Sequence, residues 1–397
     1  MLVGETDFRG IRTAKRKEPG GQITRHGGIA MTLQEKIGQR LMTGFPGTEM
    51  TEEFRRVVKE HKIGNVILFR ENIRDCTQLK QLCRDIQNLI REETGHSAFI
   101  AIDQEGGRVR RLSGPEFHDC AAAISIGSLP PQKASKAANL HAQLISYDMH
   151  DVNINTNYAP VLDTLHSNTT DALKSRCFSN DTQTIVSLAT TEINTYIQNG
   201  IIPCIKHLPG HGLATTDPHL GLPIIFNTIK ELEKEFIPFM KLNKCPMGMT
   251  AHILLPVIDD VLPATQSPKV IKNIIRDLIG FKGLLISDAL DMHALKGTIG
   301  EKTICSLQAG CDIICYAGGQ INDIKQIIDT CPSMSDKSLE RFAKLKPILY
   351  NTPKINHIDE LYSEYCSLLS ELPPYQEEYD STEVLNIMHQ QNLTQEA

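Results

Sequence analysis

The sequence contains no Cys-x-x-Cys pair, although it carries 11 cysteines, an odd number. A disulfide framework is therefore not expected in a chain of 397 residues with such scattered spacing. Cys204, Cys311 and Cys315 lie inside apolar runs, where a thiol behaves as a small buried hydrophobe. A reducing compartment fits that usage. No stretch of about 18 apolar residues occurs either, so no transmembrane helix is expected. Lys15, Arg16 and Lys17 have no apolar run behind them, so a signal peptide is not expected. Positive charge is also short. A formal net charge of −6 argues against a general nucleic-acid binder and leaves a neutral ligand such as a sugar open. The expectation is a cytoplasmic protein that engages neither nucleic acid nor membrane.

The composition that remains, 41% hydrophobic and 22% charged, is that of a water-soluble globular protein. Residues 1–30 are polar, Gly-rich and basic, and read as a disordered leader. Periodicity begins at Met31. Thr32 reads as an N-cap, with Leu33, Ile37, Leu41 and Met42 following at helical spacing. From about 351 the chain turns acidic and ends in a polar Gln/Asn-rich stretch. Within that tail, Ile358–Leu369 predicts one amphipathic helix with Ile358, Leu361, Tyr362, Tyr365 and Leu369 on a single face. The rest, to 397, reads as a mobile acidic terminus.

Between 31 and 350, short and largely apolar runs alternate with helical segments. The candidate strands are Leu41–Phe45, Asn65–Phe69, Ala98–Asp103, Asn153–Asn157, Ile202–Lys206, Gly248–His252, Gly283–Ser287 and Asp312–Tyr316. Candidate helices between them include Gln78–Arg91, Gln183–Gln198 and Lys269–Leu278. Runs without period-2 alternation mark strands buried on both faces, as in a parallel sheet. Eight such strands alternating with helices predict an α/β fold, a single TIM-type (β/α)8 barrel of parallel strands. A doubly wound open sheet is the competing arrangement, and periodicity alone does not separate the two. Asp103, Asp163, Lys206, His207, His252 and Asp288 fall at the C-terminal ends of apolar runs, which in a barrel is the catalytic face.

Three segments concentrate chemistry. In the first, Ile102–Arg111, a strand delivers Asp103 and Glu105 and then turns at Gly106 and Gly107, where glycine allows a positive φ or close approach. Asp103 is placed to accept hydrogen bonds from sugar hydroxyls. Glu105 reads instead as part of a buried ion-pair network, with Arg108 as its candidate partner. The second segment, Lys206–His219, holds three histidines, a lysine and an aspartate within fourteen positions. A zinc site must be weighed there, but the Gly and Pro content makes the segment a loop. Asp217-Pro218-His219 reads better as a carboxylate that orients an imidazole and favours its protonated form, able to act as general acid and then base. In the third segment, Leu284–Met292, Asp288 leaves an apolar strand toward the barrel mouth. A carboxylate there can attack an anomeric carbon and later leave. Asp291 reads as a helix cap or surface acid.

These segments, together with Asn157–Asp163 and Met249–His252, resemble glycoside hydrolase family 3 from about Met31 to about 330. The Lys-His-x-Pro-Gly-His-Gly block followed by Asp-x-His points to its bacterial β-N-acetylglucosaminidase branch, which works in muropeptide recycling. The resemblance implies Asp288 as nucleophile, His219 as acid/base and Asp217 as its partner. It implies Asp103, Arg111, Arg176, Lys206 and His207 as substrate-binding residues. Three positions depart from the family pattern: Cys177 stands where Ser is usual, Leu208 where Phe is, and Pro218 where Ser is. The implied enzyme is a retaining β-N-acetylglucosaminidase, expected to be monomeric. It would use no metal or organic cofactor and act on a small sugar, N-acetylglucosaminyl-anhydromuropeptide. Two alternatives stay open: a phosphorylase on the same site, and a Schiff-base lyase or aldolase using Lys206.

Overall fold

The computed structural model describes residues 31–353 and 355–372. The leader 1–30 and the terminal stretch from 373 expected above lie outside the described residues. Among the described residues ten strands occur in chain order: β1 (Leu41–Thr43), β2 (Asn65–Leu68), β3 (Phe99–Ile102), β4 (Gln104–Gly106), β5 (Val109–Arg110), β6 (Thr156–Asn157), β7 (Ile202–Leu208), β8 (Met247–Thr250), β9 (Leu284–Ala289) and β10 (Ile313–Tyr316). All but β4 and β5 form one closed parallel barrel, in which each strand pairs with the next along the chain. Closure is made by β1 and β10, with Leu41 opposite Ile314 and Thr43 opposite Tyr316. That pairing decides against the open doubly wound sheet. It also explains the missing alternation: β1, β2, β3, β8 and β10 are buried throughout, with side chains facing either the barrel interior or the helical ring.

Local chemistry sets the element ends. Thr32 caps the helix Leu33–Gly38 in a reciprocal capping box with Glu35. The helical spacing read through Leu41 and Met42 is interrupted before it reaches them. A Cβ on Gly38 would lie 2.2 Å from the Lys62 carbonyl oxygen, so the helix end is pressed against that backbone, and Leu41 and Met42 belong to β1. The helix expected from Lys269 forms over Val270–Leu278 with π geometry. The amphipathic helix Ile358–Leu369 packs against the helix Pro131–Asp151 and buries Tyr365 completely.

Two register shifts shape the barrel mouth. Between Ile205 and Leu208, β7 carries one residue more than the facing stretch of β8, Gly248 to Thr250. Between Ile286 and Ala289, β9 likewise carries one more than the facing Ile313 to Cys315 of β10. Successive strand side chains normally face opposite sides. An inserted residue re-aims them. Lys206 and His207, adjacent in β7, thereby both reach the same cavity, as do Asp288 and Ala289 in β9.

Candidate active site

A cavity of about 610 Å³ opens at the C-terminal end of the barrel. Asp103, Arg111, Arg176, Lys206, His207, Asp217, His219 and Asp288 all line it. The sequence scatters these side chains over more than 180 positions, and the βα connections gather them.

One wall is an interlocked set of charges. The Lys206 side chain is 2% exposed, and its ammonium lies 2.9 Å from Asp103 Oδ1 and 2.5 Å from Glu105 Oε1. Arg176 grips Glu105 with both prongs, Nε to Oε2 at 2.8 Å and Nη2 to Oε1 at 2.9 Å. Arg111 Nη2 stands 3.6 Å from Asp103 Oδ2, its guanidinium over the Phe69 ring. Glu105 is thus in a buried ion network with Arg176 and Lys206, while Arg108, its expected partner, donates to the Ala172 carbonyl. Gly106 and Gly107, both at positive φ, reverse the chain between Glu105 and Arg108. Burial pushes the Glu105 carboxyl up, but the charges of Arg176 and Lys206 outweigh it and hold it far below the usual carboxylate range. Burial alone would lower the Lys206 amine; Asp103 and Glu105 overcome that and raise it.

Asp163, buried at the end of its run, is the anchor of the next wall. Its Oδ2 lies 2.7 Å from His207 Nδ1, and its Oδ1 accepts the backbone N–H of His211 at 2.7 Å. With Nδ1 turned to Asp163, His207 presents Nε2 to Arg176 at 3.4 Å. Asp163 stood out in the sequence at a strand end, yet nothing local indicated that it would hold two histidines 44 and 48 positions away.

On the loop beyond β7, His219 Nδ1 lies 2.7 Å from Asp217 Oδ1, which also accepts the His219 backbone N–H at 2.9 Å. Burial raises the Asp217 carboxyl, while the hydrogen bond and charge of His219 bring it below its ordinary value. Asp288 accepts the N–H of Ala289 at 2.8 Å. Burial would raise its carboxyl too, but the neighbouring His252 and His207 lower it, so it is a carboxylate at neutral pH. His252 does not line the cavity. Its Nε2 holds the Ala289 carbonyl at 3.0 Å, steadying the strand end that bears Asp288. Asp291 is neither a helix cap nor a surface acid. The next helix is capped by Thr298, and Asp291 accepts the Ala317 N–H at 3.0 Å at the cavity edge. No group of three or more His, Cys, Asp or Glu among the described residues is arranged to hold a metal ion.

Fold and cavity define a (β/α)8-barrel enzyme with an ionised carboxylate and a carboxylate-oriented imidazole facing one polar pocket. The chain belongs to glycosyl hydrolase family 3: the model of that family's N-terminal domain matches residues 32–344. It is a glycoside hydrolase of the branch whose relatives are β-hexosaminidases. It is 28% identical to Beta-hexosaminidase A of Pseudoalteromonas piscicida, over 80% of this chain and 61% of that one. It therefore spans less than two thirds of that relative. It superposes on a family 3 β-N-acetylglucosaminidase from Paenibacillus sp. str. FPU-7 with a TM-score of 0.78, at 26% identity over 85% of this chain and 68% of the other. NagZ from Neisseria gonorrhoeae, solved in complex with N-trifluoroacetyl-D-glucosamine, gives 0.73 at 27% identity, covering 83% and 97%.

Proposed function

We propose that the chain is a retaining β-N-acetylglucosaminidase that releases terminal N-acetylglucosamine from muropeptides derived from peptidoglycan. The observation that carries this reading is the meeting of Asp288 with the Asp217–His219 pair in one cavity. In the first step the Asp288 carboxylate attacks the anomeric carbon. His219, protonated and oriented through Nδ1 by Asp217, gives its proton to the departing glycosidic oxygen. A covalent glycosyl-enzyme forms and the aglycone leaves. In the second step neutral His219 takes a proton from water, which attacks the anomeric carbon and frees Asp288. Asp103, Arg111, Arg176, Lys206 and His207 hold the sugar.

The N-acyl glucosamine bound by the gonococcal relative supports this sugar class. The muropeptide aglycone rests on the sequence resemblance. Lys206, raised and held by two carboxylates, is ill suited to the neutral amine that a Schiff-base lyase needs. The eleven free thiols, nine of them buried, suit a cytoplasmic setting, and a monomer suffices for the chemistry.

The test is release of a chromogenic leaving group from an N-acetylglucosaminide and from the matching glucoside, with and without phosphate. Fast, phosphate-independent release from the first supports the hydrolase. A sugar phosphate as product would replace it by the phosphorylase. A slow fluorinated N-acetylglucosaminide should label Asp288, and Asp288→Ala should abolish turnover in a folded protein. A label found on Asp291 or Glu105 overturns the assignment.

A further inference from the structure

Of the six polar strand-end residues picked out in the sequence, Asp163 and His252 do not line the cavity. Asp163 holds His207 and His211. His252 is fully buried two residues beyond β8, and the proposed chemistry gives it no part. Both of its ring nitrogens are tied. Nδ1 lies 2.8 Å from Thr265 Oγ1, which itself meets Thr250 Oγ1 at 2.8 Å and the Ala251 carbonyl at 3.0 Å. Nε2 faces the Ala289 carbonyl oxygen at 3.0 Å, so it carries a proton and donates it. Among the described residues the Asp288 carboxylate accepts one hydrogen bond, from the Ala289 N–H at 2.8 Å. A single residue thus joins His252 to the nucleophile: Ala289 gives its N–H to Asp288 and its carbonyl to His252.

The join falls where β9 is irregular. Met249 of β8 pairs with Ile286, and the same register carried three residues on sets His252 beside Ala289. On its other edge β9 has its extra residue between Ile286 and Ala289, and the Cys315 N–H of β10 donates to the Ser287 hydroxyl. An inserted residue of this kind disrupts the ladder locally and re-aims the side chains beside it. We infer that His252 is a positioning residue: through the Ala289 carbonyl it fixes the irregular end of β9, and with it the line along which the Asp288 carboxylate meets the anomeric carbon. The inference rests on the reading of Asp288 as nucleophile and deepens it. Attack requires aligned reacting atoms, and a misplacement of about 1 Å caused from outside the reacting groups can cost about 10²-fold.

The experiment uses the full chain, a slow fluorinated N-acetylglucosaminide to label the nucleophile, and free N-acetylglucosamine to report sugar binding. His252→Met fills a similar volume without a donor. His252→Gln can bring an N–H close to the place of Nε2. The rate of Asp288 labelling and kcat should fall roughly 100-fold in His252→Met and return to within about tenfold of wild type in His252→Gln. The inhibition constant of N-acetylglucosamine should stay within about twofold in both, because the side chains that hold the sugar stand on other strands and loops. Loss of sugar binding in step with labelling is the result of a merely structural role and overturns the inference. So does a folded His252→Met that labels within about threefold of wild type, or a His252→Gln as slow as His252→Met. Should His252→Met fail to fold, Thr265→Val decides. It keeps the imidazole but frees Nδ1, so labelling should slow severalfold with sugar binding unchanged, and an unchanged rate overturns the inference. Labelling of Asp288 at the wild-type rate in every variant overturns this inference alone. A wild-type label on another residue overturns the nucleophile assignment and this inference with it.

Discussion

The two ends of the barrel carry similar buried charges, yet they are finished differently. At the N-terminal end Asp312 is saturated. Its Oδ2 accepts from Arg276 at 2.8 Å and the Leu285 N–H at 2.9 Å, and its Oδ1 accepts from Ser338 at 2.6 Å and Arg341 at 2.9 Å. Arg40 beside it donates to the carbonyls of Asp312, Cys311, Pro332 and Ser333. At the C-terminal end Asp103, Arg176, Lys206, Asp217 and Asp288 line a cavity. Complete satisfaction belongs to a structural clamp. At the open end the charges of Asp103, Arg176 and Lys206 stand instead at the wall of a cavity, where a barrel places its reacting groups.

The largest expected break falls on activity at the open end. His219→Ala removes the proposed proton donor and should slow substrates with poor leaving groups by roughly 10²–10⁴-fold, as for lost general acid catalysis. Activated aryl substrates need less protonation in the glycosylation step and should lose less. Asp217→Asn should show the same pattern more mildly, since the ring loses its charged partner. Tm should hardly move, because among the described residues the His219 ring bonds to Asp217 alone and is 20% exposed. A leaving-group series on wild type and both variants checks this, and equal losses for all leaving groups would make His219 a positioning residue.

The next break separates the two ion clusters from each other. Removing one charge of a buried network leaves its partners uncompensated, at about 3–5 kcal/mol. Asp312→Asn should therefore lower Tm by several degrees and leave kcat and KM as they are. Glu105→Gln should lower Tm as well, but also raise KM, because Arg176 and Lys206 lose the acid that fixes them at the cavity wall. The two variants should part further with pH. Glu105 has a carboxyl lowered in the folded state, so its contribution is full above the unfolded value, about 4.3. It fades as pH falls through the folded value. The Tm gap between wild type and Glu105→Gln should narrow below about pH 4.3. An unchanged KM in Glu105→Gln would make the open-end cluster a second clamp.

What the sequence disclosed divides along the same line. Seven of the eight barrel strands were legible as short, largely apolar runs, and burial on both faces is what such runs encode; β6, Thr156–Asn157, holds no apolar residue. Asp288, Asp217 and His219 stood out because they sit in compact local motifs. The pairing of Glu105 with Arg176 and Lys206 was not legible. It spans 71 and 101 positions, and a charge carries no local record of its distant partner. Nor were the extra residues in β7 and β9, which turn neighbouring side chains into one cavity. Those depend on the register between strands, which an apolar run leaves open by a residue. Leu41 and Met42 illustrate the opposite failure, in which the helical spacing fitted but Gly38 ended the helix first.

The smallest effect tests how far the open end is held from outside the barrel. Tyr365, on the helix Ile358–Leu369, is fully buried, and its hydroxyl accepts the Ala121 N–H at 2.9 Å. The same hydroxyl meets His141 Nδ1 at 3.0 Å, while His141 Nε2 lies 3.1 Å from the Glu105 carbonyl. Burial pushes the His141 imidazole down to about 4, so at neutral pH the ring has one N–H. With that proton on Nε2, it donates to the Glu105 carbonyl, and Tyr365 donates to Nδ1. The chain of bonds runs from the C-terminal helix to the backbone of the residue that fixes Arg176 and Lys206. Tyr365→Phe removes one link and leaves the packing, at about 1–3 kcal/mol for the groups left unpaired. The helix should stay docked through its apolar face, so Tm should fall by only a few degrees. If the link positions Glu105, KM should rise severalfold with kcat nearly constant and the leaving-group dependence untouched, since His219 lies on another loop. A loss of Tm with no change in KM would confine Tyr365 to stability and leave the open end held by its own ion pairs.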